Sequence, residues 1–246
     1  MSAPSDPIHE FEDVPKRRGL KLDRVVLLGR TLEEYRRYFD LDLDSLHGCR
    51  VLDVASGVSS FTAEASAEGL DCTAADPIYG LENESIRTQC EQDLDEVVRS
   101  LHGLDTYKWE FYKNPNHMRG FRERAYRTFL EDRCCRSNRY LASSLPRLPF
   151  SDRAFNLTLT SYFLFVYEAQ LDWKFHLQSL LEIMRVTSGE ARIYPLMTFE
   201  GVPSQFLSRL ASEPALESLE FTVVPTRFEF LVGSNAYLRI RHRTAG

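Results

Sequence analysis

Hydrophobic residues in the first third of the chain change from helical spacing to short continuous runs. This change predicts one helix followed by a β–α–β unit. Thr31 is a suitable N-cap for the first helix, Gly69 ends the second, and Asp76 closes the second strand. The predicted elements are a helix over 32–39, a strand over 50–54, a turn over 55–60, a helix over 61–67 and a strand over 70–75.

Residues 79–139 have a helical and strongly charged pattern. Two amphipathic helices are predicted there, one over 84–104 that ends at Gly103 and one over 118–134. A minimal α/β unit has far fewer residues between its second and third strands. We therefore expect a helical cap inserted at about 79–139 and lying over the carboxyl edge of the sheet.

Strands and helices alternate regularly again after this insertion. The final segment alternates apolar and polar residues on both sides of a Gly-Ser-Asn turn at 233–235, which predicts two antiparallel strands. The other predicted elements are a strand over 139–142, a loop over 145–155, a strand over 156–161, a helix over 172–186, a strand over 190–198 and a short helix over 202–212. The pattern indicates an α/β fold in a single domain over 1–246.

Composition and charge limit the kinds of molecule that this protein is expected to bind. Of the 246 residues, 43% are hydrophobic and 27% are charged, which is typical of globular proteins. A net charge of −6 without a basic tail disfavours a nucleic-acid partner, because phosphate binding needs concentrated positive charge. No apolar run approaches the roughly 18 residues of a membrane span, and the acidic first fifteen residues predict a frayed start rather than a secretory signal.

Cysteines and histidines indicate a reduced, metal-free protein. The five cysteines form no CxxC pair, and the six histidines are scattered without HxH or HxxxH spacing. A disulfide framework or a zinc site needs regular spacing. We therefore expect a cytoplasmic protein with free thiols and no metal cofactor.

The chemical signal centres on V-L-D-V-A-S-G-V-S-S-F and on the acid that closes the next strand. The turn Ala55-Ser56-Gly57 lets a ligand approach the backbone, and Asp76 follows Gly57 by 19 positions. At this separation, a carboxylate can accept hydrogen bonds from both hydroxyls of a ribose. Since the three glycines of a pyrophosphate-binding loop are missing, adenosine joined to an amino acid fits better than a dinucleotide.

These residues resemble the first two motifs of class I S-adenosylmethionine (SAM) methyltransferases, and A-S-S-L-P-R-L-P-F-S-D-R-A-F-N-L-T-L-T-S-Y-F-L-F-V-Y resembles a downstream stretch of that superfamily. The resemblance covers about 50–76 and 139–198. It implies a Rossmann-like fold with a mostly parallel seven-stranded sheet and a terminal antiparallel strand. It implies cofactor-binding roles for Asp53, Ala55, Ser56, Gly57 and Ser59 at methionine, Asp76 at ribose, and Pro77, Ile78, Ser143, Ser144 and Leu145 at adenine, with Ser161 at the end of the following strand.

Four further side chains remain open to two interpretations. Tyr162 and Tyr167 follow the strand that ends at the reacting methyl, where a phenol ring can hold a sulfonium, although aromatic residues there can also be core. Arg30 is either a ligand for the carboxylate of SAM or an ordinary surface arginine. Asn138 either orients the SAM amine or is a turn residue before a strand.

The reaction is open as well. The chain has T-S-Y-F where many N-methyltransferases have Asp/Asn-Pro-Pro-Tyr/Phe, and His176 is an unconvincing base. The strand end, R-T-L-E-E-Y and the cap resemble a bacterial group that includes azetidine-2-carboxylate synthases. These enzymes cyclise SAM, release methylthioadenosine and serve biosynthetic pathways, so pathway partners are possible. The best prediction is this cyclisation; the alternatives are a small-molecule methyltransferase and a non-catalytic SAM-binding module.

Overall fold

The computed structural model describes residues 19–243, so the expectation of a frayed N-terminus lies outside the described residues. The elements are α1 (Leu32–Tyr38), β1 (Arg50–Val54), α2 (Phe61–Ala67), β2 (Asp71–Ala75), α3 (Asn83–Ser100), α4 (Pro115–Cys135), β3 (Tyr140–Leu141), β4 (Phe155–Ser161), α5 (Trp173–Val186), β5 (Thr187–Tyr194), α6 (Leu207–Leu210), β6 (Leu219–Pro225) and β7 (Ala236–His242). The helices and strands alternate except at the two long inserted helices, between β3 and β4, and between β6 and β7.

The strands form one seven-stranded sheet in the order β3-β2-β1-β4-β5-β7-β6. The strands from β3 to β5 pair in parallel, whereas β7 is antiparallel to both β5 and β6. The predicted sheet, with its terminal antiparallel strand, is confirmed. The strand order reverses between β1 and β4, and a ligand crevice is expected outside the carboxyl ends of strands at such a reversal.

Helices cover both faces of this sheet, which is why its central strands are apolar. Four of the five residues of β1 are buried. One hydrophobic cluster contains residues of α1 to α4, and a second contains residues of α5 and α6. Helix α1 begins with a capping box, in which Thr31 and Glu34 exchange hydrogen bonds between side chain and backbone.

The predicted bounds of two strands in the second half are wrong. β5 begins three residues earlier than expected and ends at Tyr194 rather than at residue 198, because Pro195 has no N–H to donate to the sheet. The first terminal strand ends at Pro225, and a loop over 226–235 replaces the expected tight turn. Leu231 in this loop forms a β-bridge with Tyr107, so contact with the insertion overrides the local alternation.

The predicted insertion between β2 and β3 is helical. Helix α4 packs against α2 and α3, and it therefore lies beside the crossover helix of the β1–α2–β2 unit. No helix within residues 19–243 is both long and apolar enough to cross a membrane.

Candidate functional site

A cavity of about 260 Å³ lies at the carboxyl ends of β1, β2 and β4, next to the reversal of strand order. Most of the residues predicted for the site line it. The turn after β1 contributes Ala55, Ser56, Gly57, Val58 and Ser59; the end of β2 contributes Asp76, Pro77 and Ile78; and the segment after β3 contributes Ser143, Ser144 and Leu145. The end of β4 contributes Ser161, Tyr162, Phe163 and Tyr167, and Arg30, Tyr35, Phe199 and residues between 20 and 28 complete the lining.

The turn after β1 is a tight bend, as its small residues predict. Ala55 and Gly57 both have positive φ, at 54° and 56°. The N–H of Ala55 donates to the carbonyl of Ala75 at 2.9 Å, and the Tyr79 hydroxyl donates to the carbonyl of Gly57 at 2.8 Å. The bend is thus tied to β2 and to the residues that follow it, and it brings the backbone to the cavity wall.

The Asp76 carboxylate is held by this bend and lines the cavity. It accepts hydrogen bonds from the N–H of Gly57 at 2.9 Å and of Ile78 at 3.0 Å, one on each oxygen. A carboxylate has about four acceptor sites, so capacity for two further donors remains. Burial raises the pKa of Asp76 to about 6 despite these two backbone N–H groups. This geometry suits a pair of ligand hydroxyls.

Asp53 does not line the cavity, although the resemblance places it at the methionine part of the ligand. Its side chain is fully buried below the bend, where it accepts from the Tyr35 hydroxyl at 2.9 Å and the Ser56 hydroxyl at 2.7 Å. Burial raises the pKa of Asp53 to about 7. Asp53 therefore holds two lining residues, Tyr35 and Ser56, in place from beneath.

Arg30 is a buried guanidinium that lines the cavity rather than a surface arginine. Only 9% of the residue is exposed, and its guanidinium carbon lies 4.1 Å from the centre of the Tyr162 ring. One terminal nitrogen donates to the carbonyl of Leu28. Nε is 3.9 Å from the Glu34 carboxylate, beyond hydrogen-bond distance, and has no hydrogen-bond partner among residues 19–243. The side chain thus retains donor capacity for a ligand.

A buried ion network surrounds Arg30 and leaves an excess of positive charge. Arg122 of α4 makes a two-pronged pair with Glu34, with N–O distances of 2.6 and 3.1 Å, and Tyr112 donates to the same carboxylate. Burial alone would raise the pKa of Glu34, but Arg122 and Arg30 together hold it below its ordinary value. Two guanidinium groups and one carboxylate sum to +1, so this wall of the cavity favours an anion.

The contact predicted for Tyr162 differs from the one observed. The ring was expected to hold a sulfonium, but the Arg30 guanidinium already lies over one of its faces. A second cation on that face would be repelled by Arg30. Tyr162 directly follows β4 with a positive φ of 50°, and its N–H donates to the carbonyl of Tyr194 at 2.7 Å, so the turn aims the ring at Arg30.

Tyr167 lines the cavity and also holds one of its walls. Its hydroxyl accepts from the N–H of Val26 at 3.2 Å, and its ring lies edge-on to Phe199 with centroids 5.2 Å apart. Burial raises the pKa of Tyr167 to about 12, so the phenol is neutral at ordinary pH. Its predicted contact with a sulfonium stays a prediction.

The remaining predicted serines differ in whether their hydroxyls form hydrogen bonds within the described part of the chain. Ser161 pairs with the Tyr38 hydroxyl at 2.8 Å, and Ser59 donates to the carbonyl of Arg30 at 2.9 Å. The Ser143 hydroxyl is buried and has no hydrogen-bond partner within the described part of the chain. Ser143 therefore retains its donor and acceptor capacity beside Pro77 and Ile78, where the resemblance predicts adenine.

An extended segment closes the cavity, and the sequence gives no motif for it. This strap, residues 20–28, crosses the site before α1. Asp93 of α3, which is fully buried, accepts from the N–H of Leu27 and the guanidinium of Arg24, both at 2.6 Å. Gln170 donates to the carbonyl of Leu22 at 2.6 Å. None of residues 79–139 lines the cavity, so the predicted cap supports the strap instead of covering the site.

Two other candidates lie elsewhere. Asn138 is exposed in a short turn before β3 and does not line the cavity, so the structure gives no support for its predicted contact with an amine. His176 is fully buried, with Nδ1 2.9 Å from the carbonyl of Asp172, and burial lowers its pKa. Within residues 19–243, no group of three or more His, Cys, Asp or Glu side chains is placed to hold a metal ion.

The sheet and the position of the cavity define the class of protein. The strand order, with β7 antiparallel between β5 and β6, is that of the Rossmann-like class I methyltransferase fold. The chain is 37% identical over 226 residues to the uncharacterized protein MJ0045 of Methanocaldococcus jannaschii, an alignment that covers 91% of this chain and 99% of that protein. The chain belongs to the family that includes MJ0045.

More distant solved structures include PH0226 of Pyrococcus horikoshii, which is 15% identical, with 86% of this chain and 90% of that one covered and a TM-score of 0.41. A SAM-dependent methyltransferase of Aquifex aeolicus is 14% identical, with 86% and 95% covered and a TM-score of 0.40. The strand order assigns the fold of this chain. No family model matches the chain.

Proposed function

We propose that this protein is a SAM-consuming enzyme of small-molecule metabolism. The observation that carries the proposal is the charge distribution along one cavity. Asp76 follows β2, whereas Arg30 stacks on the residue that follows β4, and β1 lies between these strands. Two strand spacings amount to about 10 Å. SAM has a ribose with two hydroxyls on one side of its sulfonium and a carboxylate on the other, so Asp76 would bind the ribose and Arg30 the carboxylate.

The cavity lining offers no base apart from Asp76, which is assigned to the ribose, and this favours a nucleophile that needs none. The lining residues described above include no histidine, lysine, cysteine or glutamate. Burial raises the pKa of Tyr35 and Tyr162, and that of Tyr167 to about 12, so the lining phenols do not take up this role near neutral pH. An α-amino group, with an ordinary pKa of about 8, has a neutral fraction without help. The amine of SAM itself meets this requirement.

The proposed reaction is therefore ring closure within SAM. The amine nitrogen attacks Cγ, the Cγ–S bond breaks with its electron pair going to sulfur, and the products are methylthioadenosine and azetidine-2-carboxylate. The amine loses one proton to solvent before the attack, and the ring nitrogen of the product then carries two hydrogens and the positive charge. Arg30 and Asp76 fix the two ends of the molecule, and holding reactants in line contributes up to about 7–11 kcal/mol.

Enclosure of the site supports the same reaction. The strap carries Val25, Val26, Leu27 and Leu28 along the cavity and is tied by Asp93 and Tyr167. These apolar side chains exclude water, which would otherwise compete as a nucleophile. The volume of about 260 Å³ lies just below the range for ligand sites, about 300–1,000 Å³, and leaves little space for a separate acceptor beside the ligand.

Methyl transfer to a small molecule is the second candidate, and one observation favours it. A groove of about 530 Å³ adjoins the cavity and shares Leu20, Leu22 and Phe199 with it. Movement of these three side chains would join the two spaces and let an acceptor approach. The groove is lined on its other side by polar residues that include Lys21 and Gln170.

Incubation of the purified protein with SAM alone separates the two reactions. Ring closure predicts equal amounts of methylthioadenosine and a cyclic amino acid, with no added acceptor. S-adenosylhomocysteine formed only when small-molecule acceptors are added would support methyl transfer and reject cyclisation. An Arg30→Met variant is the matched control, since loss of product with it separates enzymatic turnover from spontaneous breakdown of SAM.

A further inference from the structure

We propose that Arg122 of helix α4 is a positioning residue that keeps Arg30 available to the ligand by occupying Glu34. The proposal rests on the proposed function, because it assigns Arg30 to a carboxylate of the bound ligand. It gives the helical insertion a role in the site although no residue of the insertion lines the cavity.

The backbone on both sides of Arg30 is held by this network. Arg122 donates to the carbonyl of Gly29 at 2.6 Å, and Glu34 accepts from the N–H of Thr31 at 2.8 Å. The carbonyl of Arg30 itself accepts from the N–H of Ser60 at 2.9 Å. A side chain cannot be added at Gly29, since a Cβ there would lie 2.2 Å from the carbonyl oxygen of Val58. Arg122 is thus one of several groups that fix where the Arg30 side chain begins.

The charges explain why Arg122 also determines the position of the Arg30 guanidinium. Glu34 is fully buried, and Arg122 engages both of its oxygens. Arg30 lies 3.9 Å from the same carboxylate without a hydrogen bond to it. If Arg122 were absent, Glu34 would be a buried carboxylate whose nearest cation is Arg30. An unpaired buried charge is strongly unfavourable, so Arg30 would move onto Glu34 and its charge would be lost to the cavity.

Two nucleosides measure this effect selectively. S-adenosylhomocysteine has a carboxylate, whereas methylthioadenosine shares the adenosine and sulfur but has no carboxylate. We expect Arg122→Met to weaken binding of S-adenosylhomocysteine by about tenfold or more, the range for a hydrogen bond to a charged group. Binding of methylthioadenosine should change by less than about twofold. Isothermal calorimetry gives both affinities, and Arg119→Met is the matched control, because Arg119 lies on the same helix and, within residues 19–243, forms its ion pairs with Asp95 and Glu123.

A second substitution distinguishes positioning from a general structural role. Removing the carboxylate as well, in Glu34→Gln with Arg122→Met, leaves Arg30 without a competing partner. We expect this double variant to recover affinity for S-adenosylhomocysteine to within about threefold of the wild type. If Arg122→Met does not fold, Arg122→Lys replaces it: one ammonium cannot span Glu34 and Gly29, so a smaller loss, again confined to S-adenosylhomocysteine, is expected.

The outcomes separate this inference from the proposed function. Equal losses for both nucleosides, no loss for either, or no recovery in the double variant would overturn the role of Arg122 alone. Failure of the wild-type protein to bind either nucleoside would overturn the proposed function and this inference with it. A selective loss with recovery supports both.

Discussion

The two ends of the cavity are built by different means. At the Asp76 end, backbone N–H groups of Gly57 and Ile78 hold one carboxylate. At the Arg30 end, side chains from α1, α4 and the turn after β4 surround one guanidinium. The first arrangement depends on local chain geometry, and the second depends on contacts between distant segments. One end of the cavity is therefore formed by residues close together in the sequence, and the other by residues far apart in it. Each end can be tested separately.

The Arg30 end should show the largest effect of a single substitution. Arg30→Met removes the guanidinium while keeping an unbranched side chain. We expect affinity for S-adenosylhomocysteine to fall by about 1.5–3 kcal/mol, as for a lost hydrogen bond to a charged group, with methylthioadenosine little affected. Calorimetry with both nucleosides measures the difference, and Arg36→Met, at an exposed position of α1, is the control. If the affinities for both nucleosides fell equally, the Arg30 end would not be selective for the ligand carboxylate.

The Asp76 end should respond to substitution without distinguishing the two nucleosides. Asp76→Ala removes the acceptor for the ribose and should weaken binding of both by about 1–3 kcal/mol. The control is Asp71→Ala, at the exposed start of the same strand, where the carboxylate is 3.9 Å from Arg50. If calorimetry gave unchanged affinities for Asp76→Ala, Asp76 would have no place in the site.

Titration of Asp76 should make ribose binding depend on pH. Because burial raises its pKa to about 6, the carboxylate is ionised at pH 7.5 and mostly protonated at pH 5. The ionised form is the one with free acceptor sites, so affinity for methylthioadenosine should fall as pH falls, by about tenfold between these values. Asp76→Asn should abolish the dependence. A dependence that persists in this variant would assign it to another group, such as Asp53, whose pKa is about 7.

The strap should show the smallest effect, since Tyr167 is one of several groups that hold it. Tyr167→Phe keeps the ring but removes the acceptor for the N–H of Val26. The loss of one neutral hydrogen bond, about 0.5–1.5 kcal/mol, should accelerate dissociation of S-adenosylhomocysteine several-fold. Stopped-flow measurement of the dissociation rate tests this. A much larger loss of affinity would mean that the phenol itself contacts the ligand.

The sequence predicts the Asp76 end well because the information is local. A buried strand, a bend of small residues and an acid at the close of the next strand lie within 27 positions, and the sheet places them together. The role of Asp53 is missed because its motif position does not reveal whether the side chain points into the cavity or below it.

The Arg30 end is less predictable from sequence because its partners are far away along the chain. Arg122 is 93 positions from Gly29, and Asp93 is 66 positions from Leu27. No spacing rule connects these residues. The sequence therefore leaves two interpretations of Arg30 open, and it predicts no strap. The apolar run at 25–28, which Gly29 separates from Arg30, is the one sequence feature that indicates the strap.

The central claim is that one cavity holds a ribose at Asp76 and a carboxylate at Arg30. A crystal structure of the protein with S-adenosylhomocysteine tests it most directly. We expect both ribose hydroxyls within hydrogen-bond distance of the Asp76 carboxylate and the ligand carboxylate on the Arg30 guanidinium, with the strap in place over the ligand. A nucleoside bound elsewhere, or bound here with its carboxylate away from Arg30, would contradict it.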